Sequence, residues 1–298
     1  MNQLGTQRGP ALAEQEHAEL PEAAPRVGGM IAPPSDDTLR WPLPAHDHWA
    51  RPFAEALLHH LDLFPGAAVL DVACGRGIPA FYVAEQVGPA GEVLGIDLSE
   101  YKIACAREIQ RQHLPWLRFE CLDMRWLPSR VPTVDRITGN LSVLFFRPNR
   151  LETIRGLVDH LKPGGQLVLT FPSRGTFHLL WRRIDREMAA RGLSAERRSL
   201  DEYVTERPSA DDGRAWLHAL GCERIEVTEW PLEIPTGPGP SFLRHPILRG
   251  GFLDDVYDCF DDPRVAEDVM KRVSHDIASF TPLMAQRCVL SGWKKGGK

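Results

Sequence analysis

Short apolar runs and amphipathic stretches alternate along residues 67–171. Apolar runs of five or six residues, bounded by Gly, Pro or Asp, predict buried strands. Because the runs at 67–72 and 166–171 are almost continuously apolar, we expect both faces of the resulting sheet to be covered. The predicted strands are residues 67–72, 92–96, 117–121, 134–138 and 166–171.

Helical periodicity fills the gaps between these strands. Residues 48–61 carry an aromatic or leucine side chain at every fourth position, with Asp47 as the expected N-cap. Further helices are predicted over residues 78–87, 99–112 and 149–161. Strands that alternate with helices predict an α/β fold with a doubly wound, mostly parallel sheet.

The two ends of the chain depart from this rhythm. Seven prolines between positions 10 and 44 predict a flexible N-terminal arm over residues 1–44. Residues 45–298 are expected to form one domain, with lid insertions at about 174–209 and 235–282 that do not fit the strand–helix alternation. Further predicted elements are helices at 211–220 and 264–280 and strands at 224–230 and 286–293.

Charge and cysteine content narrow the function classes. The net charge is −5, and a nucleic-acid-binding protein usually has a basic excess, so we expect no nucleic-acid partner. Six cysteines without a C-x-x-C pair predict free thiols in the cytoplasm and no metal site. No apolar run approaches the roughly 20 residues that span a bilayer, so no membrane insertion is expected, and a homodimer stays open as an assembly.

The strongest chemical signal is a glycine loop after the first predicted strand. Asp71 stands near the end of that strand, and Ala73, Cys74, Gly75 and Gly77 follow before a helix begins. Glycine lets the backbone approach a ligand closely and turn into a helix. Because the acid ahead of the loop would repel a pyrophosphate, a phosphate-binding loop is not expected.

Two more acids stand at the ends of the next two predicted strands. Asp97 lies twenty residues after Gly77, where an acid can accept hydrogen bonds from ribose hydroxyls. Asp123 follows the third strand, where it can meet an adenine amine. Because parallel strands end at the same edge of a sheet, the three acids together predict a nucleoside site.

These motifs resemble class I S-adenosylmethionine-dependent methyltransferases, and most closely the ubiquinone/menaquinone-biosynthesis type and related small-molecule enzymes. The family's acid-x-Gly-x-Gly-x-Gly pattern appears as DVACGRG at residues 71–77, with Ala73 in place of the first glycine. The resemblance extends over residues 47–171, 213–230 and 286–293. It implies S-adenosyl-L-methionine as cofactor and a Rossmann-like sheet of seven strands with an antiparallel last strand.

The resemblance also implies roles for the residues of the cofactor site. The methionine part is held by the first acid and the glycine loop, the ribose by the second acid, and the adenine by a leucine and the third acid with the amide after it. Two residues past the fourth strand touch the cofactor and face the acceptor. The methionine part would contact Asp71, Ala73, Cys74, Gly75 and Gly77, and the ribose would contact Asp97. The adenine would contact Leu98, Asp123 and Met124. The two residues between cofactor and acceptor are Asn140 and Leu141.

The acceptor side of the site is expected to be apolar. Its predicted lining is Trp49, Phe145, Phe146, Phe171, Phe177 and Trp181. Ordinary packing explains Phe177 and Trp181 at least as well, since both lie on a helical stripe. The best-placed candidate for a general base is His178, just beyond the fifth strand, and His46, His48 and His245 are further candidates. A surface or hydrogen-bonded structural role stays open as the alternative for each of these histidines.

Methyl transfer to a small molecule is the favoured function, since a small acceptor needs an enclosing pocket. An RNA or protein methyltransferase and a non-catalytic S-adenosylmethionine-binding protein stay open as alternatives. The Asn-Pro-Pro-aromatic motif that resembling enzymes use on amino groups of bases and glutamines is absent, because residues 139–142 read GNLS there.

Overall fold

The computed structural model describes residues 48–110, 114–235, 248, 252–276 and 280–297. The arm predicted over residues 1–44 lies outside this part of the chain. The same holds for three predicted features: Asp47 as a helix cap, and His46 and His245 as candidate bases.

Seven strands form one sheet. They are β1 (Ala68–Val72), β2 (Glu92–Asp97), β3 (Leu117–Cys121), β4 (Val134–Gly139), β5 (Leu161–Pro172), β6 (Glu223–Ile234) and β7 (Leu283–Trp293). Their spatial order is β3-β2-β1-β4-β5-β7-β6. β7 pairs antiparallel with both β5 and β6, whereas the pairs among β1 to β5 are parallel. The predicted α/β sheet with an antiparallel last strand is therefore confirmed.

Helices cover the sheet and extend beyond one of its edges. They are α1 (Ala50–His60), α2 (Ala80–Val87), α3 (Glu100–Gln110), α4 (Arg150–Asp159), α5 (His178–Ala190), α6 (Ser194–Thr205), α7 (Ala210–Ala219), α8 (Leu253–Tyr257) and α9 (Pro263–His275). No helix in the described ranges is long and apolar enough to cross a membrane.

Side chains from the central strands alternate between two apolar cores. Leu70 and Val72 of β1 pack in one core, and Val69 between them packs in the other. In β5, Leu167 and Leu169 join the first core and Val168 the second. Successive residues of a strand point to opposite faces, so an almost continuous apolar run buries both faces of the sheet.

A third core lies beyond the edge where β5 ends and β7 begins. It joins α5, α6, α8 and α9, which we call the helical cap, through the buried side chains of Trp181, Leu200, Val256 and Val269. Where the chain passes from β5 into the helical cap, the amide of Phe177 donates a hydrogen bond to the carbonyl of Met284 on β7 at 2.7 Å. The apolar stripe predicted after residue 176 therefore packs against other cap helices.

Some element boundaries differ from the sequence prediction. β6 and β7 extend to Ile234 and Leu283, farther than the alternating pattern indicated. The physical reason is that both residues are buried in the cap core, so pairing continues beyond the amphipathic part. The helix predicted to reach residue 280 ends at His275. β5 begins at Leu161, five residues before the predicted start of that strand.

Candidate functional site

The three predicted acids occupy neighbouring positions at the carboxyl edge of the sheet. Residue 71 of β1 pairs with Gly95 of β2, two positions before Asp97. Asp97 in turn pairs with Cys121 of β3, two positions before Asp123. The parallel register therefore brings the acids to the end of three adjacent strands, which is where ligands bind in open α/β sheets.

Asp71 is fully buried with only part of its hydrogen-bonding capacity used. Its Oδ1 accepts a 2.7 Å hydrogen bond from the Thr138 hydroxyl on β4. Its Oδ2 has no hydrogen-bond partner among the described residues. Burial raises the pKa of Asp71 to about 7, and the negative charge of Asp97 adds to the rise, whereas the Thr138 hydroxyl and the Ala80 amide oppose it. A cation beside Oδ2 would favour the ionised form.

The glycine loop turns the chain through three left-handed residues, Ala73, Gly75 and Gly77, whose φ angles are 52°, 57° and 95°. A Cβ at position 77 would lie 2.5 Å from the ring of Phe81, so close packing requires glycine there. A Cβ at position 75 would meet nothing within 4 Å, so that side of the loop is open to a ligand. Cys74 is buried, and desolvation raises the pKa of its thiol, which keeps it protonated and a poor nucleophile.

Ala73 is expected to be strained, because a left-handed conformation costs an L-residue about 1–2 kcal/mol. We expect Ala73→Gly to raise the free energy of unfolding by about 0.5 kcal/mol after the extra chain entropy of glycine is subtracted. Ala84→Gly, inside α2, is the matched control and should lower it by about 1 kcal/mol. Urea unfolding would measure both, and equal destabilisation by the two variants would contradict the strain.

Asp97 holds the glycine loop from the neighbouring strand. Its Oδ2 accepts from the Gly75 amide and its Oδ1 from the Ser99 amide, each at 2.9 Å. A carboxylate offers about four acceptor positions, so one on each oxygen is left for a ligand hydroxyl. The next side chain, Leu98, is 58% exposed, and Tyr101 in the first turn of α3 is also exposed. An apolar surface therefore lies directly beside the acid.

Asp123 is paired with a cation that the sequence analysis did not consider. The guanidinium of Arg125 donates to both carboxylate oxygens, at 2.7 Å to Oδ2 and 3.0 Å to Oδ1. This pairing holds the pKa of Asp123 below its usual range. Met124 between them is buried in the core of the sheet. A ligand amine at Asp123 would therefore compete with Arg125.

Asn140 and Leu141 connect the end of β4 to α1 and β5. The Asn140 amide donates to the carbonyl of Ala50 at 3.1 Å, and its Oδ1 accepts from the Thr170 hydroxyl at 2.8 Å. The same hydroxyl accepts from the Leu141 amide at 2.9 Å. Leu141 has a φ of 56°, so this corner is a second left-handed turn at the edge of the sheet.

The aromatic residues predicted to line an acceptor pocket separate into three places. Phe146 and Phe171 are fully buried in the core of the sheet. Phe145 is 62% exposed. Phe177, Trp181 and Trp49 lie together at the cap, where the rings of Trp49 and Phe177 are 5.8 Å apart. The structure thus groups three of the six, and a pocket role for any of them stays a prediction.

His178 is the first residue of α5 and is exposed. His48 is also exposed, just before α1. The structure places His178 next to Phe177 at the start of the cap, beyond the carboxyl end of β5. A base role for His178 therefore stays a prediction that this position permits.

Sequence reasoning did not single out Thr138 and Thr170, although both contact predicted site residues. A signal was available, because each is a polar residue near the carboxyl end of a predicted buried strand. Such a residue is buried only when it has a hydrogen-bond partner. Within the described ranges, no group of three His, Cys, Asp or Glu side chains could hold a metal ion.

Comparison with known proteins points to one domain type. A family model described as a methyltransferase domain matches residues 69–165, which include the glycine loop and Asp97. A tRNA (guanine(6)-N2)-methyltransferase of Thermus thermophilus is 37% identical over 39% of this chain and 37% of its own length. Nocamycin O-methyltransferase of Saccharothrix syringae is 35% identical over 41% of this chain and 44% of its own length.

The chain therefore spans about two fifths of the length of these curated relatives. Among solved structures, the cyclase SpnF has a TM-score of 0.50 at 21% identity, over 82% of this chain and 81% of its own. At that identity the likeness concerns the fold alone. Proteins that are named for different activities, a cyclase and methyltransferases, therefore share this fold.

Proposed function

Because the chain carries a class I S-adenosylmethionine-dependent methyltransferase domain, we propose that it transfers a methyl group from S-adenosyl-L-methionine to a small-molecule acceptor. The observation that carries the cofactor part is the buried Oδ2 of Asp71, which has no hydrogen-bond partner in the described part of the chain. This oxygen lies beside an open glycine loop and fits the cationic methionine end of the cofactor.

The residues at the sheet edge fit the other parts of the cofactor. Asp97 retains acceptor positions for the two ribose hydroxyls. The exposed Leu98 offers an apolar surface for the adenine, and Asp123 with the Met124 amide would bind its edge. On the methionine side, loop 73–77 would complete the site with its backbone. Asn140 and Leu141 would border it on the acceptor side.

When bound, S-adenosyl-L-methionine supplies an electrophilic methyl group, and the protein contributes position and electrostatics. The Asn140 side chain, held by Ala50 and Thr170, fixes the corner between the cofactor side and α1. The cap would exclude water from the acceptor side. His178, exposed at the start of α5, is our proposed base for an acceptor that must lose a proton.

Two observations support a small acceptor. The cap helices lie beyond the carboxyl end of β5, on the side of the sheet where the candidate site lies, so they could enclose a small molecule. Nocamycin O-methyltransferase, by its name, acts on a small molecule. The tRNA methyltransferase relative favours RNA as a second candidate, against which the net charge of −5 argues.

The test is product formation with each acceptor class. Purified protein would be incubated with S-adenosylmethionine and either unmodified tRNA or a panel of aromatic and polyketide-like acids and phenols. Formation of S-adenosylhomocysteine would then be compared with gain of a methyl mass on the acceptor. We expect S-adenosylhomocysteine and a methylated member of the small-molecule panel to form in equal amounts. Methylated tRNA would favour the second candidate, and cofactor binding without any turnover on either class would contradict the proposed enzyme.

A further inference from the structure

Three arginines converge between the sheet and the cap. Arg207, in the loop after α6, is only 5% exposed. One of its terminal nitrogens donates to the Tyr203 hydroxyl, which in turn donates to the carbonyl of Phe252. Its Nε and Nη1 are buried without a partner among the described residues, as are the Nε atoms of Arg147 and Arg150. These N–H groups thus have unused hydrogen-bonding capacity.

The acids around this arginine cluster do not balance it. Glu206 lies 3.0 Å from Arg147 and 4.0 Å from Arg150, so it serves two cations. Asp212, the next nearest acid, is 3.3 Å from Arg174. The remaining acid is Asp255, whose pKa is raised by burial although Arg147 and Arg207 oppose the rise. Among the described residues, these four arginines are therefore accompanied by three acids, with Asp254 and Asp258 near Asp255.

The internal segments outside the described residues supply no further acid. Residues 111–113, 236–247, 249–251 and 277–279 contain neither Asp nor Glu, whereas residues 1–47, also outside the described ranges, contain seven such acids. A buried guanidinium is costly without a hydrogen-bonded anion, so the cluster favours an external oxyanion. Arginine is suited to this role because its planar N–H groups match a carboxylate in pairs.

The cluster lies directly beside the aromatic residues at the cap entrance. The guanidinium of Arg207 is 4.4 Å from the ring centre of Phe252. That ring is 4.9 Å from Phe177 and 5.3 Å from Trp49. Trp49 precedes Ala50, whose carbonyl accepts from Asn140 at the end of β4. A ligand with an anionic end at Arg207 and an apolar body on these rings would therefore reach toward the proposed cofactor site.

We propose that Arg147, Arg150 and Arg207 bind a carboxylate of the methyl acceptor, whose apolar body packs on Phe252, Phe177 and Trp49. This inference rests on the proposed function and narrows its acceptor class to organic acids with an apolar, ring-containing body.

The probe is 1-naphthoate, with 1-naphthamide as its uncharged match and inorganic phosphate as an oxyanion without an apolar body. Calorimetric titration would use the full chain saturated with S-adenosylhomocysteine. We expect 1-naphthoate to bind at least about tenfold more tightly than the amide, and phosphate more weakly than both, because the arginine cluster discriminates charge and the rings add apolar contact.

Three variants make the test specific to these side chains. Arg207→Met and the half-exposed Arg147→Gln should each reduce the preference for the acid by about tenfold. Arg198→Met, an exposed position on α6, is the matched control and should leave it unchanged. Arg147→Gln keeps the test interpretable if Arg207→Met does not fold.

The outcomes separate this inference from the function on which it rests. Equal affinity for acid and amide, or an acid preference that both cluster variants retain, would overturn the arginine site while S-adenosylhomocysteine binding upholds the cofactor site. Phosphate binding as tightly as 1-naphthoate would overturn the acceptor class, since the apolar body would then contribute nothing. A wild type that does not bind S-adenosylhomocysteine would contradict the proposed function itself.

Discussion

Asp97→Ala is expected to weaken S-adenosylhomocysteine binding by about 100-fold or more. Each hydrogen bond to a charged group is worth about 1.5–3 kcal/mol, and the substitution removes the acceptor for two ribose hydroxyls. A loss near 3 kcal/mol corresponds to about 100-fold in the dissociation constant. Calorimetric titration with S-adenosylhomocysteine measures it. Glu100→Ala is the matched control, since Glu100 is an exposed acid at the start of α3 and should bind normally.

A second ligand separates ribose recognition from support of the loop, because Asp97 also accepts from the Gly75 amide. The 2′-deoxy analogue of S-adenosylhomocysteine lacks one of the hydroxyls that Asp97 would accept. The wild type should prefer the ribose form by about tenfold, and Asp97→Ala should show no preference. If the wild type binds both forms equally, Asp97 supports the loop and does not read the ribose.

Asp71→Asn is expected to change how the stability of the ligand-free protein depends on pH. In the unfolded chain this carboxyl ionises near pH 4, whereas burial keeps it protonated in the fold up to about pH 7. Its stabilising contribution is therefore complete below about pH 4 and is lost as pH rises to 7. At 1.36 kcal/mol per pKa unit, the wild type should lose about 4 kcal/mol relative to Asp71→Asn over this range.

Urea unfolding at several pH values between 4 and 8 tests this dependence. Asp135→Asn is a control of opposite sign, because Asp135 has a pKa held below its usual range by the Ala68 amide and Lys162 in spite of partial burial. The carboxylate of Asp135 adds stability above about pH 4 that its asparagine variant lacks. Wild-type and Asp71→Asn stabilities that run parallel across the range would contradict the raised pKa of Asp71.

At neutral pH, Asp71→Asn should weaken ligand binding, although it should stabilise the ligand-free protein. A cationic group beside Asp71 favours the carboxylate, so binding of S-adenosylhomocysteine near pH 6.5 should release a proton from the wild type. Asp71→Asn should release none and bind at least about tenfold more weakly, although it is the more stable protein when ligand-free. Titrations in buffers of different ionisation enthalpy measure the proton. Equal release by both proteins would exclude Asp71 as its source.

The sequence alone determined the layered α/β fold and the acids of the candidate site. Apolar runs with Asp71, Asp97 and Asp123 at their ends are local features, and parallel strands necessarily bring their carboxyl ends to one edge. These features depend on short-range periodicity, which a single sequence shows directly.

Only the tertiary structure decided which aromatic residues lie together and which charges meet. Phe171 and Phe177 are both apolar residues at the end of a predicted element, yet one fills the core of the sheet and the other the entrance of the cap. Arg147 and Arg207 are sixty positions apart in sequence and face each other only after α6 and α8 fold over the sheet edge. Long-range packing leaves no periodic signal in the sequence, so the proposed acceptor site could not be predicted from it.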